Sequence, residues 1–166
     1  MSENKHAPNR LVNYRDIHET RMQQYRDAGF ILKDNLTFDD FGNGIITLTG
    51  RIECLYGLYI DVTKTLQIVD GTGHNARVQT VSYSYDAAVP KVGNVFRYDS
   101  PHPDHHQNHH VHRFEIITGG VEGVVTFHGI EGWPTLGEVI GELRDWAASN
   151  ADWLTAQQQR RERRFR

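Results

Sequence analysis

The feature that most restricts the fold is a series of short, β-branched runs in the middle of the chain. The runs lie at residues 45–49, 59–63, 65–69, 78–85 and 95–99. In the fourth run, Val81, Tyr83 and Tyr85 alternate with Thr and Ser, which is typical of a strand with one buried face. Parallel strands need a crossover of about a dozen residues or more, and the turns here are too short for one. The sequence therefore predicts an antiparallel β meander of four to six strands.

Helices are predicted before and after this region. Residues 11–28 carry apolar residues at helical spacing, and Gly29 follows where a helix end favours positive φ. Thr135 and Glu138 have the spacing of a capping box, and apolar residues continue behind them at helical spacing. The expected fold class is α+β, with the antiparallel sheet flanked by an N-terminal helix and a C-terminal helix.

Length and charge suggest one domain with distinct ends. The chain has 166 residues, the usual size of one domain. We expect residues 1–10 to form a flexible N-terminus, residues 11–155 a single α+β domain and residues 156–166 an Arg-rich tail. The last seven residues hold five Arg and one Glu while the net charge is -3, so the body is acidic. Contact with nucleic acid should therefore be local, at the tail or at a site with its own positive charge.

The hydropathy and the cysteine content of the chain indicate its cellular location. No apolar run approaches the roughly 18 residues that a membrane span needs, and the N-terminus lacks the apolar segment of a signal peptide. Cys54 is the only cysteine, so the chain cannot form an internal disulfide. These features predict a cytoplasmic protein without a membrane partner.

Histidine is concentrated in one internal segment. Six of the ten histidines fall within eleven residues. They are His102, His105, His106, His109, His110 and His112. Asp, Pro, Gln and Asn interrupt the segment, unlike a terminal expression tag. This concentration indicates a functional site, for which two chemistries are open.

In the first interpretation the histidines transfer protons. His110 and His112 are two residues apart, so in a strand both project from one face, about 6–7 Å apart. Imidazole exchanges protons near neutral pH, and RNA cleavage through the 2′-hydroxyl needs a base, an acid and a cation. Arg97 is suited to bidentate phosphate binding, and Asp99 is expected to orient Arg97 or a histidine. Tyr85, Tyr98 and Arg113 are the candidate substrate-binding residues, with core packing as the alternative role of the tyrosines.

In the second interpretation the histidines bind a divalent transition metal, for which imidazole is a common ligand. The candidate ligands are His102, His105, His109, His110 and His112. Their spacing matches no recognised metal signature such as HExxH, and a single cysteine cannot build a thiolate site. The leading expectation is therefore a site without a cofactor, and the metal site is the alternative.

The same segment resembles a known family. The run FRYDSPH at residues 96–102, followed by HHVH at residues 109–112, is similar to the signature of the TumE-type toxins of bacterial toxin–antitoxin modules. In that family an Arg-Tyr-Asp-Asn-x-Pro-His run precedes a Pro-His-His-x-His run. Here Ser100 replaces the usual Asn and Asn108 the usual Pro. The Tyr-x-Tyr strand before the first run also matches the family order.

The resemblance implies a ribonuclease-like growth inhibitor held in check by a co-encoded antitoxin. It carries over as catalytic residues Arg97, Asp99, His102, His110 and His112. We therefore predict a metal-independent endoribonuclease toxin whose partners are a cognate antitoxin protein and an RNA substrate, with a homodimer as an assembly to test. Two alternatives stay open: a metal-dependent nuclease or hydrolase using the histidine cluster, and a non-catalytic module that binds protein or nucleic acid.

Overall fold

The fold is α+β, as predicted. The computed structural model describes residues 5–101, 109–119, 125–128 and 132–166. Within these residues, nine strands form one sheet whose neighbours all pair antiparallel. The strands are β1 (Asn9–Arg10), β2 (Ile31–Asp34), β3 (Thr37–Asp40), β4 (Ile45–Cys54), β5 (Tyr59–Asp70), β6 (Arg77–Val89), β7 (Gly93–Asp99), β8 (His110–Arg113) and β9 (Val125–Phe127). The helices are α1 (Leu11–Asp27), α2 (Leu136–Ser149) and α3 (Ala151–Arg163).

The sheet is a meander through most of its width. Its main order is β2-β4-β5-β6-β7-β8-β9, so each strand from β4 onward lies beside the next one in the chain. The described residues form more strands than the expected four to six, chiefly because β1, β2 and β3 contain only two to four residues. Such short segments carry too little alternation to be recognised in sequence, and they become strands by pairing with β4 and β6.

Strand β6 departs from the simple alternation that its sequence predicts. Thr65 pairs with Ser82 and Leu66 with Thr80, so Val81 is an extra residue opposite β5. A β-bulge of this kind changes which side of the sheet the following side chains face. As a result Val81 is exposed, whereas Tyr83 is buried.

Local sequence signals fix the helix ends. Helix α1 ends just before Gly29, which adopts a φ of +74° that most other residues disfavour. At the start of α2, the Thr135 side chain accepts a hydrogen bond from the Glu138 backbone, and the Glu138 carboxylate accepts one from Thr135 N–H. This is the predicted capping box. Asn150, with φ of -126°, separates α2 from α3.

The core lies between one face of the sheet and the helices. We call this the helix face of the sheet; Tyr85, Val62 and Ile60 on it are buried together with Ile140 and Leu143 of α2. Within the described part of the chain, none of the helices is both long and apolar enough to cross a membrane.

Both ends of the chain make contacts with the domain. Lys5 Nζ lies 2.7 Å from a Glu138 carboxylate oxygen, and the His6 ring stacks on Trp133 at 3.8 Å between centroids. Residues of the Arg-rich segment belong to α3, where Arg161 donates hydrogen bonds to the backbone carbonyls of Tyr56 and Pro90. Part of the basic tail therefore packs against the sheet.

The packing of α2 on the sheet predicts a strong effect of truncation at its centre. Leu143 is fully buried, so Leu143→Ala should lower the free energy of unfolding by about 2–5 kcal/mol. Asp145→Ala, on the exposed side of the same helix, should change it by less than about 0.5 kcal/mol. Denaturant unfolding of both variants would measure this, and equal effects would contradict the packing described here.

Candidate functional site

Strand pairing brings together four of the predicted site residues. In the β7–β8 pair, Arg97 lies opposite His112 and Asp99 opposite His110. Residues two apart in a strand share a face, so all four side chains project from the same side of the sheet. We call these four residues the Arg–Asp–His cluster, and we call this side of the sheet the polar face.

Asp99 is the centre of this cluster. Its Oδ2 accepts a hydrogen bond from Arg97 Nε at 2.7 Å, and its Oδ1 accepts one from Ser84 Oγ at 2.8 Å. The Nε2 atoms of His110 and His112 lie 3.7 and 3.9 Å from the same Oδ2. The carboxylate is thus fixed by two donors and approached by both imidazoles.

Arg97 also reaches a ring nitrogen of His112. Its Nη2 lies 3.3 Å from His112 Nε2. A guanidinium can only donate, so this hydrogen bond requires an unprotonated Nε2 on a neutral ring. In that tautomer the Nε2 lone pair of His112 is occupied by Arg97, and it becomes available as a proton acceptor only when Arg97 Nη2 donates to another group.

The four side chains of the cluster differ in how much of their surface is exposed to solvent. His110 is 0% exposed, His112 5% and Asp99 8%, whereas the Arg97 side chain is 35% exposed. Arg97 is therefore the member of the cluster that solvent reaches most freely. His110 has no exposed surface for a substrate in this conformation, whereas His112 keeps a small exposed area.

Three residues of the cluster could hold a metal ion. One ligand atom each from Asp99, His110 and His112 lie within 4.8 Å of one another. Two imidazoles and one carboxylate are a donor set used for zinc and for iron. Arg97 Nε competes for the same Asp99 oxygen, so an ion there would have to share that carboxylate with a guanidinium or displace it.

His109 does not join this cluster although it precedes His110. Its Nδ1 lies 2.8 Å from the Tyr83 hydroxyl, and its ring stacks on Trp133 at 4.8 Å between centroids. Strand alternation turns neighbouring side chains to opposite faces of a sheet, so His109 follows the helix face. His102, predicted as a catalytic residue and as a candidate metal ligand, and His105, predicted as a candidate metal ligand, lie outside the described residues.

The predicted substrate-binding residues lie on the helix face, away from the cluster. Tyr85 is 0% exposed within the core. The Tyr98 hydroxyl donates to Glu142 Oε2 at 2.6 Å, and Arg113 Nη1 donates to Glu142 Oε1 at 2.6 Å. Burial, reinforced by the Glu142 carboxylate, raises the pKa of Tyr98 above its usual value. Tyr98 and Arg113 thus connect the sheet to α2, and Tyr85 is part of the hydrophobic core.

Sequence reasoning did not single out two polar residues next to the cluster. Ser84 holds the second oxygen of Asp99, and Asp86 lies opposite Arg97 in the β6–β7 pair. Burial raises the pKa of Asp86, while the nearby charge of Arg97 opposes that shift. The alternation of Ser and Tyr in this strand was the available signal, because it places Ser84 on the face opposite the tyrosines.

Comparisons with protein-family models, with curated proteins and with solved structures gave no match. The likeness to the TumE-type toxins therefore rests on the motifs at residues 96–102 and 109–112.

Partly buried histidines predict a loss of stability at mildly acidic pH. Burial is the chief reason that the pKa values of His6, His18 and His109 lie below 6.5. Below about pH 6.5 the unfolded chain then binds more protons than the folded chain, so the free energy of unfolding should fall as the pH decreases toward the folded-state values. Urea unfolding between about pH 7.5 and 5.5 would measure this dependence.

A substitution isolates the contribution of His109 to the slope of the free energy of unfolding against pH. His109→Gln should make the pH dependence shallower, because the unfolded state loses one site that takes up a proton in this range. Asn75→Gln, which changes an exposed residue that carries no titratable group, is the control and should leave the slope as it is. Identical slopes for the wild type and His109→Gln would contradict the role given to burial.

Proposed function

We propose that this protein is a metal-independent endoribonuclease of the toxin–antitoxin type. In this proposal Arg97 binds the scissile phosphate, His112 takes the proton of the 2′-hydroxyl, and Asp99 and His110 position them. The observation that carries the proposal is the β7–β8 pairing, which sets the partly exposed Arg97 beside a ring nitrogen of His112 and bonds its guanidinium to one buried carboxylate.

Arg97 has the features of a prepositioned phosphate ligand. Its Nε is bonded to Asp99 and its Nη2 to His112, while Nη1 has no hydrogen-bond partner among the described residues. The guanidinium is therefore held in orientation and keeps donors for a phosphate oxygen. A cation fixed before the substrate arrives stabilises charge that grows on the phosphoryl oxygens without having to reorganise.

His112 is placed to act as the general base. A phosphate bound to Arg97 would lie next to His112 Nε2, which is 3.3 Å from the guanidinium. The 2′-hydroxyl would give its proton to that nitrogen, the 2′-oxygen would bond to phosphorus, and the bond from phosphorus to the 5′-oxygen would break. The 5′-oxygen would leave with a proton taken from water. The positive imidazolium so formed would be stabilised by the Asp99 carboxylate at 3.9 Å and opposed by the Arg97 guanidinium at 3.3 Å, whose own charge the bound phosphate would offset.

His110 supports this arrangement from the interior. It is fully buried, its Nε2 is 3.7 Å from Asp99 Oδ2, and its ring lies 5.1 Å from the His112 ring. It is therefore a positioning residue in this proposal. The toxin role and a cognate antitoxin partner rest on the motif resemblance, and a cytoplasmic location rests on hydropathy and cysteine content. The acidic body agrees with a nuclease whose RNA contacts are confined to a local cationic site.

The proposal predicts selective loss of RNA cleavage. His112→Asn should lower the cleavage rate about 10²–10⁴-fold, because it removes the proton acceptor. Arg97→Gln should lower it to a similar degree, since the phosphate loses its cation. The rate should persist in excess EDTA, and a substrate with a 2′-deoxy sugar at the cleavage position should stay intact. Gel analysis of a labelled RNA would measure each effect.

Arg51→Gln is the matched control. Arg51 forms a two-point ion pair with Asp61 on the polar face, much as Arg97 pairs with Asp99, but the structure places no histidine of the cluster beside it. This variant should cleave RNA like the wild type. In cells, expression of the wild type should arrest growth and His112→Asn should not. Growth arrest by a wild-type protein that leaves all RNA intact would instead support a non-catalytic inhibitor.

A metal-dependent hydrolase is the second candidate, favoured by the clustering of Asp99, His110 and His112 within 4.8 Å. A bound ion would supply an activated water for hydrolysis of a phosphodiester or a related bond. Under this candidate, protein purified without a nickel column contains about one equivalent of metal, EDTA abolishes activity and one particular metal restores it. Asp99→Asn should lower metal content by elemental analysis, whereas His109→Gln, outside the cluster, should not. Unchanged activity in EDTA would reject this candidate.

A further inference from the structure

A second candidate site lies on the helix face, on the other side of the sheet from the Arg–Asp–His cluster. Here α1, the start of α2 and strands β5 and β6 enclose a cavity of about 610 Å³. Cavities of this size, roughly 300–1,000 Å³, are typical of small-molecule sites. Apolar side chains form part of its wall, including Ile17, Met22 and Ile140.

The charged groups at this cavity have one sign. Lys64, Arg21 and Lys5 line it, together with His6 and His18. None of the described residues that line it is Asp or Glu. Lys5 is paired with Glu138, which leaves Lys64 and Arg21 as cations without a carboxylate within ion-pair distance among the described residues. Such a concentration of positive charge is unusual in a chain whose net charge is -3.

Lys64 is the most buried of these cations and is the strongest indication of a ligand. It is 7% exposed, although lysine is almost never buried to this degree without a paired acid. Its Nζ lies 5.0 Å from the centroid of the Tyr14 ring, and it has neither a hydrogen-bond partner nor a carboxylate partner among the described residues. Burial and the charge of Lys64 both lower the pKa of His18, while Glu19 and Asp34 oppose that shift.

The N-terminus of α2 adds to the same field. Thr135, Leu136 and Gly137 line the cavity at the start of this 14-residue helix. The capping box occupies the amides of Thr135 and Glu138, and the Glu138 carboxylate at this helix end is paired with Lys5. The amides of Leu136 and Gly137 lack intrahelical acceptors and carry partial positive charge, so they favour an anion.

We propose that this cavity binds a small organic phosphate, with its phosphate group on Lys64 and Arg21 and its apolar or aromatic part against Ile17 and Met22. Two cations without acidic partners match the double negative charge of a phosphate monoester better than the single charge of a carboxylate. Because the cavity and the Arg–Asp–His cluster occupy opposite faces of the sheet, this site does not depend on the proposed nuclease activity.

Calorimetric titration of the full chain tests this proposal with AMP, UMP, phenyl phosphate, inorganic phosphate, benzoate and adenosine. The phosphate monoesters should bind at least about tenfold more tightly than adenosine, benzoate or inorganic phosphate. Arg21→Gln should weaken their binding about 10- to 100-fold, the effect expected from losing a charge-assisted hydrogen bond. Lys64→Met should weaken it at least as much, and thermal unfolding would verify that both variants are folded.

Two controls place the ligand in this cavity. Lys33→Gln removes an equal charge from an exposed strand position and should leave binding unchanged. His112→Asn should also leave it unchanged. The proposal is overturned if no phosphate monoester binds at millimolar concentration, if benzoate binds more tightly than phenyl phosphate, or if binding survives Arg21→Gln and Lys64→Met but is lost in His112→Asn.

Discussion

The antiparallel register between β7 and β8 determines the chemistry of the polar face. Because Arg97 lies opposite His112 and Asp99 opposite His110, one guanidinium, one carboxylate and two imidazoles meet within a few ångströms. Side chains in a strand alternate with a period of two, so a slip by one residue would send either pair to the other face. Burial of Tyr98 and Val111 on the helix face holds this register, since neither could be moved to the polar face without losing its packing.

Asp99 makes a charged site compatible with an interior position. A buried carboxylate is costly unless it is paired and hydrogen-bonded, and Asp99 has both Arg97 and Ser84 as donors. The same oxygen that accepts from Arg97 is the one nearest to both imidazoles. The two candidate functions therefore differ in what binds the Asp99 carboxylate. If Arg97 binds it, the cluster is suited to phosphate binding and proton transfer. If a metal ion binds it, the cluster is suited to activating a water molecule.

The two faces of the sheet separate two kinds of environment. The polar face carries the Arg–Asp–His cluster, whereas the helix face carries the apolar core and the cationic cavity around Lys64. Tyr83 and Tyr85 stack on each other at 5.1 Å on the helix face, where the Tyr83 hydroxyl also lies 2.8 Å from His109 Nδ1. His109 and His110, which are adjacent in the sequence, therefore have different surroundings, because the strand directs their side chains to opposite faces of the sheet.

The amino-acid sequence by itself determined the fold class, the helix ends at Gly29 and Thr135, and the grouping of Arg97, Asp99, His110 and His112. These follow from local rules, namely alternation along strands, helix capping and short antiparallel connections, which act over a few neighbouring residues. Burial was decided only by the tertiary structure, which puts His110 in the interior, Tyr85 in the core and Lys64, at 7% exposure, in the wall of a cavity. The exposure of a side chain depends on what distant segments pack over it, and no local pattern in the chain encodes that.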